Sequence, residues 1–336
     1  MTKKRIYVAY TGGTIGMQKS AQGYIPVPGF LTECVQRMPE FYREEMPEFT
    51  IHEYTPLMDS SDMSPADWQH IAEDIRSHYS DYDGFVILHG TDTMAYTASA
   101  LSFMFENLAK PVIITGSQIP LAALRSDGQT NLLNALYIAA NYPIHEVGLF
   151  FNNILYRGNR ATKADANGFN AFDSPNFSPL LRAGIQISVE AGEVNALGHE
   201  PLRLTPVTPQ AIGVVTLYPG ISAAIFDNML QQPVKALIMQ SYGVGNAPQD
   251  PQLLASLRRA IEQGTVVLNC TQCFKGKVNM GGYATGNALA QVGVVSGHDM
   301  TVEAALTKLH YLLSQDLSQS EINNLLETNL RGELTA

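Results

Sequence analysis

A chain of 336 residues, 45% hydrophobic and 15% charged, is long enough for two domains and too apolar to be disordered. Its net charge of −10, with no basic cluster beyond Lys3-Lys4-Arg5, argues against a nucleic-acid partner, because phosphate neutralisation needs clustered Lys and Arg. No apolar run approaches the ~20 residues of a membrane span, Met1-Thr2-Lys3-Lys4 starts no signal-peptide core, and three cysteines cannot build a disulfide framework, so a cytoplasmic protein without membrane contact is expected.

The first predicted element is the short apolar run Arg5 to Tyr10, rich in β-formers, which ends abruptly in Thr11-Gly12-Gly13-Thr14-Ile15-Gly16. The glycines predict a tight turn with positive φ, or backbone that a ligand approaches closely. Thr14 then stands just past the carboxyl end of a strand, the edge where open α/β sheets bind their ligands. The Gly- and Pro-containing stretch Gln18 to Gly29 excludes a regular helix and reads as a mobile hairpin or flap, with Tyr24 on its returning arm. A short helix over about Phe30 to Met38 and a strand over Thr50 to Thr55 follow, leading to the polar loop Met58-Asp59-Ser60-Ser61-Asp62-Met63. Ser64-Pro65-Ala66-Asp67 is a strong helix start, and Trp68, Ile71, Ile75 and Tyr79 give that helix one apolar face.

The wholly apolar strand Gly84 to His89 ends in Gly90-Thr91-Asp92-Thr93. A helix over Met94 to Leu108, a strand over Pro111 to Thr115 ended by Gly116-Ser117-Gln118, a helix from about Ser126 to Ala140 and a strand over Val147 to Phe151 come next. Continuous apolar strands separated by helices predict an α/β fold with a doubly wound, mostly parallel sheet covered on both faces. The stretch from Asn152 to about Leu181, rich in Asn, Gly, Pro and Ser, is expected to be irregular, with strand-like pieces near Ile185 to Val189. The larger amino-terminal domain is expected to span residues 1–191, a linker residues 192–211, and a smaller carboxy-terminal α/β domain residues 212–336. In the last, Ile212 to Leu217, Val234 to Gln240 and Thr265 to Asn269 read as strands. Helices are expected after Asp250-Pro251 and over Thr301 to Leu313 and Ser318 to Leu330.

Three strand ends deliver hydroxyls or carboxylates: Thr14, Asp59-Ser60-Ser61 and Thr91-Asp92. Right-handed crossovers place successive strand ends on one edge of the sheet, so these groups can converge on one pocket. Hydroxyl-rich strand ends without His or Cys point to a threonine or serine nucleophile activated by a base or a cation. Lys163, just beyond the fifth strand, is the candidate cation, since a lysine packed against an acid and hydroxyls can lower a hydroxyl's pKa and relay its proton. Each member alone has a plain structural use: Thr91-Asp92 as a helix cap, Asp59-Ser60-Ser61 as an Asx-type loop, Lys163 as a solvated lysine. The joint pattern carries the chemistry.

Other motifs fail on context. Thr11 to Gly16 nearly imitates the dinucleotide fingerprint, but Thr11 takes the first glycine position and a flap follows where a helix must hold pyrophosphate. Cys270-Thr271-Gln272-Cys273 has redox spacing yet lies late in the second domain. The eight His include no HExxH and no paired spacing, so no metal site is expected, and there is no G-x-S-x-G elbow.

The pair Tyr10-Thr11-Gly12-Gly13-Thr14-Ile15 and His89-Gly90-Thr91-Asp92-Thr93-Met94 resembles the two signatures of the bacterial-type L-asparaginase and glutaminase family. The resemblance extends over essentially the whole chain. It includes Asp59 to Met63, Thr115 to Gln118, Arg160-Ala161-Thr162-Lys163, Ser241 to Asn246 and Gly281-Gly282-Tyr283-Ala284, and it is nearest to the cytoplasmic type I branch.

The resemblance implies hydrolysis of the side-chain amide of L-asparagine to L-aspartate and ammonia, without metal or cofactor. In its terms Thr14 forms the acyl-enzyme, Tyr24 closes over it and helps move its proton, and Thr91 coupled to Lys163 activates water or the primary hydroxyl. Asp92 holds the substrate α-ammonium, while Asp59, Ser60 and Ser61 take its α-carboxylate and neighbouring amine. The residues themselves do not decide which threonine attacks first; the flexible glycine surroundings of Thr14 favour it. The resemblance also implies a homodimer or a homotetramer built as a dimer of dimers, with Asn246 a candidate contribution to a partner's pocket. Some type I members bind asparagine at a separate effector site, and the matching positions are Thr162, Gln240, Ser241, Tyr242, Thr271 and Cys273. Gln240 stands where an arginine is expected, which removes a bidentate carboxylate partner.

Overall fold

The computed structural model describes residues 3–335 apart from 22, 191–199, 232–233 and 283. Met1-Thr2, residues 192–199 of the expected linker and Tyr283 of the family-like Gly281 to Ala284 therefore lie outside the described residues. Contacts gather the chain into two units, Met1–Thr205 and Pro206–Ala336.

In the first unit, β1 (Arg5–Gly12) is buried from Ile6 onward because parallel strands flank it on both sides. The hairpin β2 (Met17–Ser20) and β3 (Gly23–Pro26) sets Lys19 opposite Tyr24 and leads into α1 (Phe30–Gln36). The next strand, β4 (Glu48–Met58), is longer than its alternating segment suggests, since pairing with β1 carries it on until Met58 stands beside Gly12. Helix α2 (Pro65–Ser77) opens on the expected cap: the Ser64 N–H and hydroxyl both donate to the Asp67 carboxylate, at 2.8 and 2.7 Å. Trp68, Ile71 and Ile75 are its buried face, but Tyr79 lies beyond the helix end. The Tyr79 ring stacks on Phe85 instead, and its hydroxyl accepts from the Ala109 N–H at 2.8 Å.

After β5 (Gly84–Leu88), α3 (Met94–Met104) stops short of the expected Leu108, because Phe105–Glu106 (β6) turn extended and pair antiparallel with Arg203–Leu204. Then come β7 (Val112–Thr115), α4 (Gly128–Asn141) and β8 (Val147–Phe151). The stretch beyond β8 is more regular than its composition suggests. Asn152 and Asn153 both adopt positive φ, 46° and 66°, and turn the chain into β9 (Ile154–Arg157), antiparallel to β8. The short strands β10 (Thr162–Lys163) and β11 (Phe172–Asp173) pair with each other, and β12 (Leu181–Ala183) and β13 (Ile187–Val189) extend the main sheet. The sheet order is β4-β1-β5-β7-β8-β9-β12-β13, parallel over the first five strands and antiparallel over the rest. One face packs Ile6, Val8, Val86 and Ile113 against α1 and α4, each such residue worth roughly 1.5–3 kcal/mol on burial. On the other face Tyr7 reaches Asp74 of α2 at 3.0 Å. Arg203–Leu204 (β14), inside the span expected as linker, belongs to this unit.

The second unit is a parallel sheet in the order β15 (Ile212–Thr216), β16 (Ala236–Ser241), β17 (Val266–Thr271) and β18 (Val295–Ser296). Helices α5 (Ala223–Leu230), α6 (Pro251–Glu262), α7 (Ala284–Gln291), α8 (Val302–Leu313) and α9 (Gln319–Leu326) accompany it. Asp250 caps α6 by accepting from the Gln252 N–H at 2.9 Å. Helix α9 ends before the expected Leu330 because fully buried Lys308 captures the carbonyls of Leu326 and Thr328 and pairs with Glu333.

Candidate active site

Three strand tips meet backbone to backbone at the carboxyl edge of the main sheet. A Cβ on Gly13 (φ 93°) would lie 2.4 Å from the Gly90 nitrogen, one on Gly12 (φ 145°) 2.0 Å from the Met58 oxygen, and one on Gly90 2.3 Å from the Ser60 hydroxyl. No side chain fits at these contacts, so glycine is what lets the ends of β1, β4 and β5 touch. Hydrogen bonds lock the junction: the Thr11 hydroxyl donates to the Leu88 carbonyl at 2.9 Å and the Thr93 hydroxyl to the Ser60 carbonyl at 2.6 Å. The loop after β7 joins through the Leu121 N–H, which donates to the Ile15 carbonyl at 2.9 Å.

Thr14 opens a single 3-10 turn beyond this junction and is half-buried. The β3 arm of the flap packs against that turn, with Tyr24 about half exposed. Thr91 follows the β5 tip and is buried, whereas the Asp92 side chain is 64% exposed. The Lys163 amine donates to the Thr91 hydroxyl at 3.1 Å and to the Asp92 carboxylate at 2.6 Å. An ion pair with so exposed an acid adds about 0–1 kcal/mol, so stability does not account for the arrangement. Lys163 is carried there by the β10–β11 pairing, closed by Ala164 and Asp165 N–H groups on the Ala171 carbonyl.

The sequence attaches no role to Gln118. Its side-chain oxygen accepts from the Thr91 hydroxyl at 3.1 Å, and its amide nitrogen donates to the Gly168 carbonyl at 3.0 Å. One side chain thus ties Thr91 to the loop that bears Lys163. Its sequence signal is its place at a strand end in the family-like run Thr115 to Gln118, which names no role for the amide. Asp59 and Ser61 are exposed and Ser60 is buried against Gly90. The Asp59 carboxylate accepts from the N–H and hydroxyl of Ser61, both at 2.9 Å, so the plain Asx-turn use of this loop is present alongside its nearness to the junction.

His89 beneath the junction is fully buried. Its Nδ1–H donates to the Gly90 carbonyl at 2.7 Å and the Thr97 hydroxyl donates to Nε2 at 2.8 Å, which satisfies the neutral ring. Burial pushes its pKa down to about 4 from the ordinary 6.5. Below pH 6.5 the unfolded chain binds a proton that the folded chain refuses until about pH 4, so this contribution to stability is complete above 6.5 and lost on acidification, by about 3 kcal/mol. In urea unfolding, stability is expected to fall by roughly 2–3 kcal/mol more in the wild type than in His89→Gln between pH 7 and 4.5; equal losses would refute the assignment.

Two family matches divide the chain as its contacts do. Residues 5–195 match the family described as Asparaginase, N-terminal, and residues 211–326 the Glutaminase/Asparaginase C-terminal domain. The chain belongs to the asparaginase family. It is 71% identical over 335 residues to L-asparaginase 1 of Escherichia coli K12, covering 100% of this chain and 99% of that one. The crystal structure of L-asparaginase I from Vibrio cholerae superposes with a TM-score of 0.94 at 63% identity, with 100% of each chain covered. A 60 kDa lysophospholipase of Mus musculus is 46% identical over 357 residues, which span 99% of this chain and 63% of that protein.

Within this asparaginase-family chain, the positions matching an effector site fall in both units: Thr162 in the first, the others in the second. The Gln240 side-chain oxygen accepts from the Thr216 hydroxyl at 2.7 Å, and its carbonyl accepts from the Gln272 side chain at 2.8 Å. Ser241 is buried and donates to the Cys270 carbonyl at 3.3 Å, Tyr242 is half-buried, and the Thr271 hydroxyl donates to the Gly243 carbonyl at 2.5 Å while accepting from the Cys273 N–H. The Cys270–Cys273 spacing makes no redox pair: Cys270 is buried with its thiol pushed up to about 12 by burial, and Cys273 is exposed. A concavity of about 360 Å³ lies at the opposite edge of the main sheet, lined by Lys3, Arg5, Tyr42, Arg43 and Tyr82 among others. It contains none of the converging hydroxyls and acids.

Proposed function

We propose that this chain hydrolyses the side-chain amide of L-asparagine to L-aspartate and ammonia, with Thr14 as nucleophile. The observation that carries the reading is the Lys163 amine bridging Thr91 and Asp92 at the edge where Gly13 meets Gly90. Thr14 Oγ attacks the amide carbon, the C–N bond breaks, and the leaving nitrogen departs as ammonia with a proton relayed through Tyr24. Water, deprotonated by Thr91 with Lys163 as neutral amine taking the proton onward, then attacks the ester carbon; the C–Oγ bond breaks, aspartate leaves and Thr14 Oγ regains a proton. Asp92 gives one oxygen to Lys163 and keeps the other for the substrate ammonium. Asp59, Ser60 and Ser61 take the substrate's α-carboxylate and neighbouring amine, and backbone N–H groups near Thr91 receive the oxyanion, a contact worth ~3–4 kcal/mol per donor. The facing groups suit a small zwitterion rather than a hydrocarbon chain, which favours asparagine over a lipid. The steps use only the chain's own groups and water.

The same reading makes the enzyme a cytoplasmic dimer or dimer of dimers, with Asn246 near a partner's pocket. No helix among the described residues is long and apolar enough to cross a membrane. Effector binding is weak, because Gln240 brings no charge and its oxygen is already engaged by Thr216. Ammonia release titrated against both amides tests this: kcat/KM for asparagine is expected to exceed that for glutamine by roughly 10–100-fold, the reach of one methylene, along a hyperbolic curve. Equal values would make the enzyme a dual amidase, and a sigmoidal curve would restore the effector.

A further inference from the structure

The flap leaves the Thr14 turn at Gly16 and returns at Gly29, and both roots rest on one residue pair across β1 and β4. Tyr10 and Glu53 are register partners on these strands. A Cβ on Gly16 would lie 2.1 Å from the Tyr10 hydroxyl, so that ring is the floor of the outgoing root. Burial, with the Glu53 carboxylate, holds the Tyr10 hydroxyl protonated well above its usual range. The returning root is different. Gly29 takes a left-handed φ of 79° and starts α1 with no side chain to cap it. A helix start leaves its first N–H groups without partners. Here Glu53 supplies the cap from another strand: Oε2 accepts from the Gly29 N–H at 2.6 Å, and Oε1 accepts from the Thr32 hydroxyl at 2.7 Å and the Thr32 N–H at 3.3 Å.

We infer that Glu53 is the positioning residue of the flap. It fixes the Gly29 hinge and so the angle at which β3 brings Tyr24 back toward the Thr14 turn. This rests on the reading that Tyr24 acts over Thr14. A merely structural glutamate would stabilise α1 without governing the arm three residues before Gly29.

Hydrogen exchange and steady-state kinetics on the full chain test it. In Glu53→Ala, amides of residues 17–20 and 23–30 are expected to exchange roughly tenfold faster, as loss of a cap predicts, while those of β5 and β7 keep their protection. The kcat/KM for asparagine should fall at least about tenfold, with Glu53→Gln intermediate because it retains one acceptor oxygen for Thr32. Thr32→Val, which removes one arm of the clamp, should move both readouts in the same direction and serves if Glu53→Ala does not fold. Unchanged flap exchange would overturn the inference, as would faster exchange with unchanged kcat/KM. Tyr24→Phe separates the two readings. If it is impaired while flap exchange in Glu53→Ala is unchanged, only the Glu53 inference falls; if it is fully active, the flap reading falls with it.

Discussion

Replacing Thr14 by alanine is expected to lower kcat for ammonia release by roughly 10⁴-fold or more, the scale on which removing a nucleophile disables covalent catalysis. The folded state should barely notice. Thr14 stands in a short turn outside the packed strands and is half-buried beside a hairpin. Surface changes of this kind stay within about 0.5 kcal/mol, so a normal urea midpoint with no activity is the expected pair of results. The neighbouring Gly13 gives the contrast. A methyl there would meet the Gly90 nitrogen at 2.4 Å, so Gly13→Ala would disable the site by forcing the strand tips apart. A Thr14→Ala enzyme with near wild-type turnover would leave the junction intact and the proposed chemistry without its nucleophile.

Lys163→Met should be the next most damaging change, at roughly 10²–10⁴-fold in kcat, the usual range for a positioned proton-transfer group. Methionine keeps most of the side chain's length and removes the amine. The partner left behind, Asp92, is 64% exposed and remains hydrated, so unfolding stability should change by no more than about 1 kcal/mol. Lys163→Arg sharpens the test. It keeps the charge beside Asp92 but cannot give up and regain a proton near neutral pH. If the lysine served only as a counter-charge, arginine would restore activity; the relay requires that arginine fail as methionine does. Steady-state kinetics of the three enzymes on asparagine decide between these roles.

Much of this site could be read from the chain because its parts are local. Glycines at strand ends, hydroxyls after them and the Ser64-Pro65-Ala66-Asp67 helix start are decided within a few residues, and the junction of Gly12, Gly13 and Gly90 follows from parallel strands ending on one edge. What escaped was decided by distant partners. Asn152-Asn153 between two apolar runs is a hairpin signal, but the Asn-, Gly- and Pro-rich composition of the following stretch hid it and with it β9. Helix α3 ends at Met104 because Arg203–Leu204, about a hundred residues on, claims Phe105 and Glu106 as a strand. Gln118 lies in the family-like run Thr115 to Gln118 with no role attached to it, and Glu53 lies in no motif. Each acts by reaching across the fold, one to Thr91 and the Lys163 loop, the other to the root of the flap.

The most direct test is to catch the ester. Lys163→Met enzyme mixed with asparagine, quenched in acid during the first turnovers and digested, should show one added aspartyl group by mass spectrometry, with fragmentation placing it on Thr14. An aspartyl group on Thr91 instead, or none on any peptide while the wild type still releases ammonia, would contradict the account.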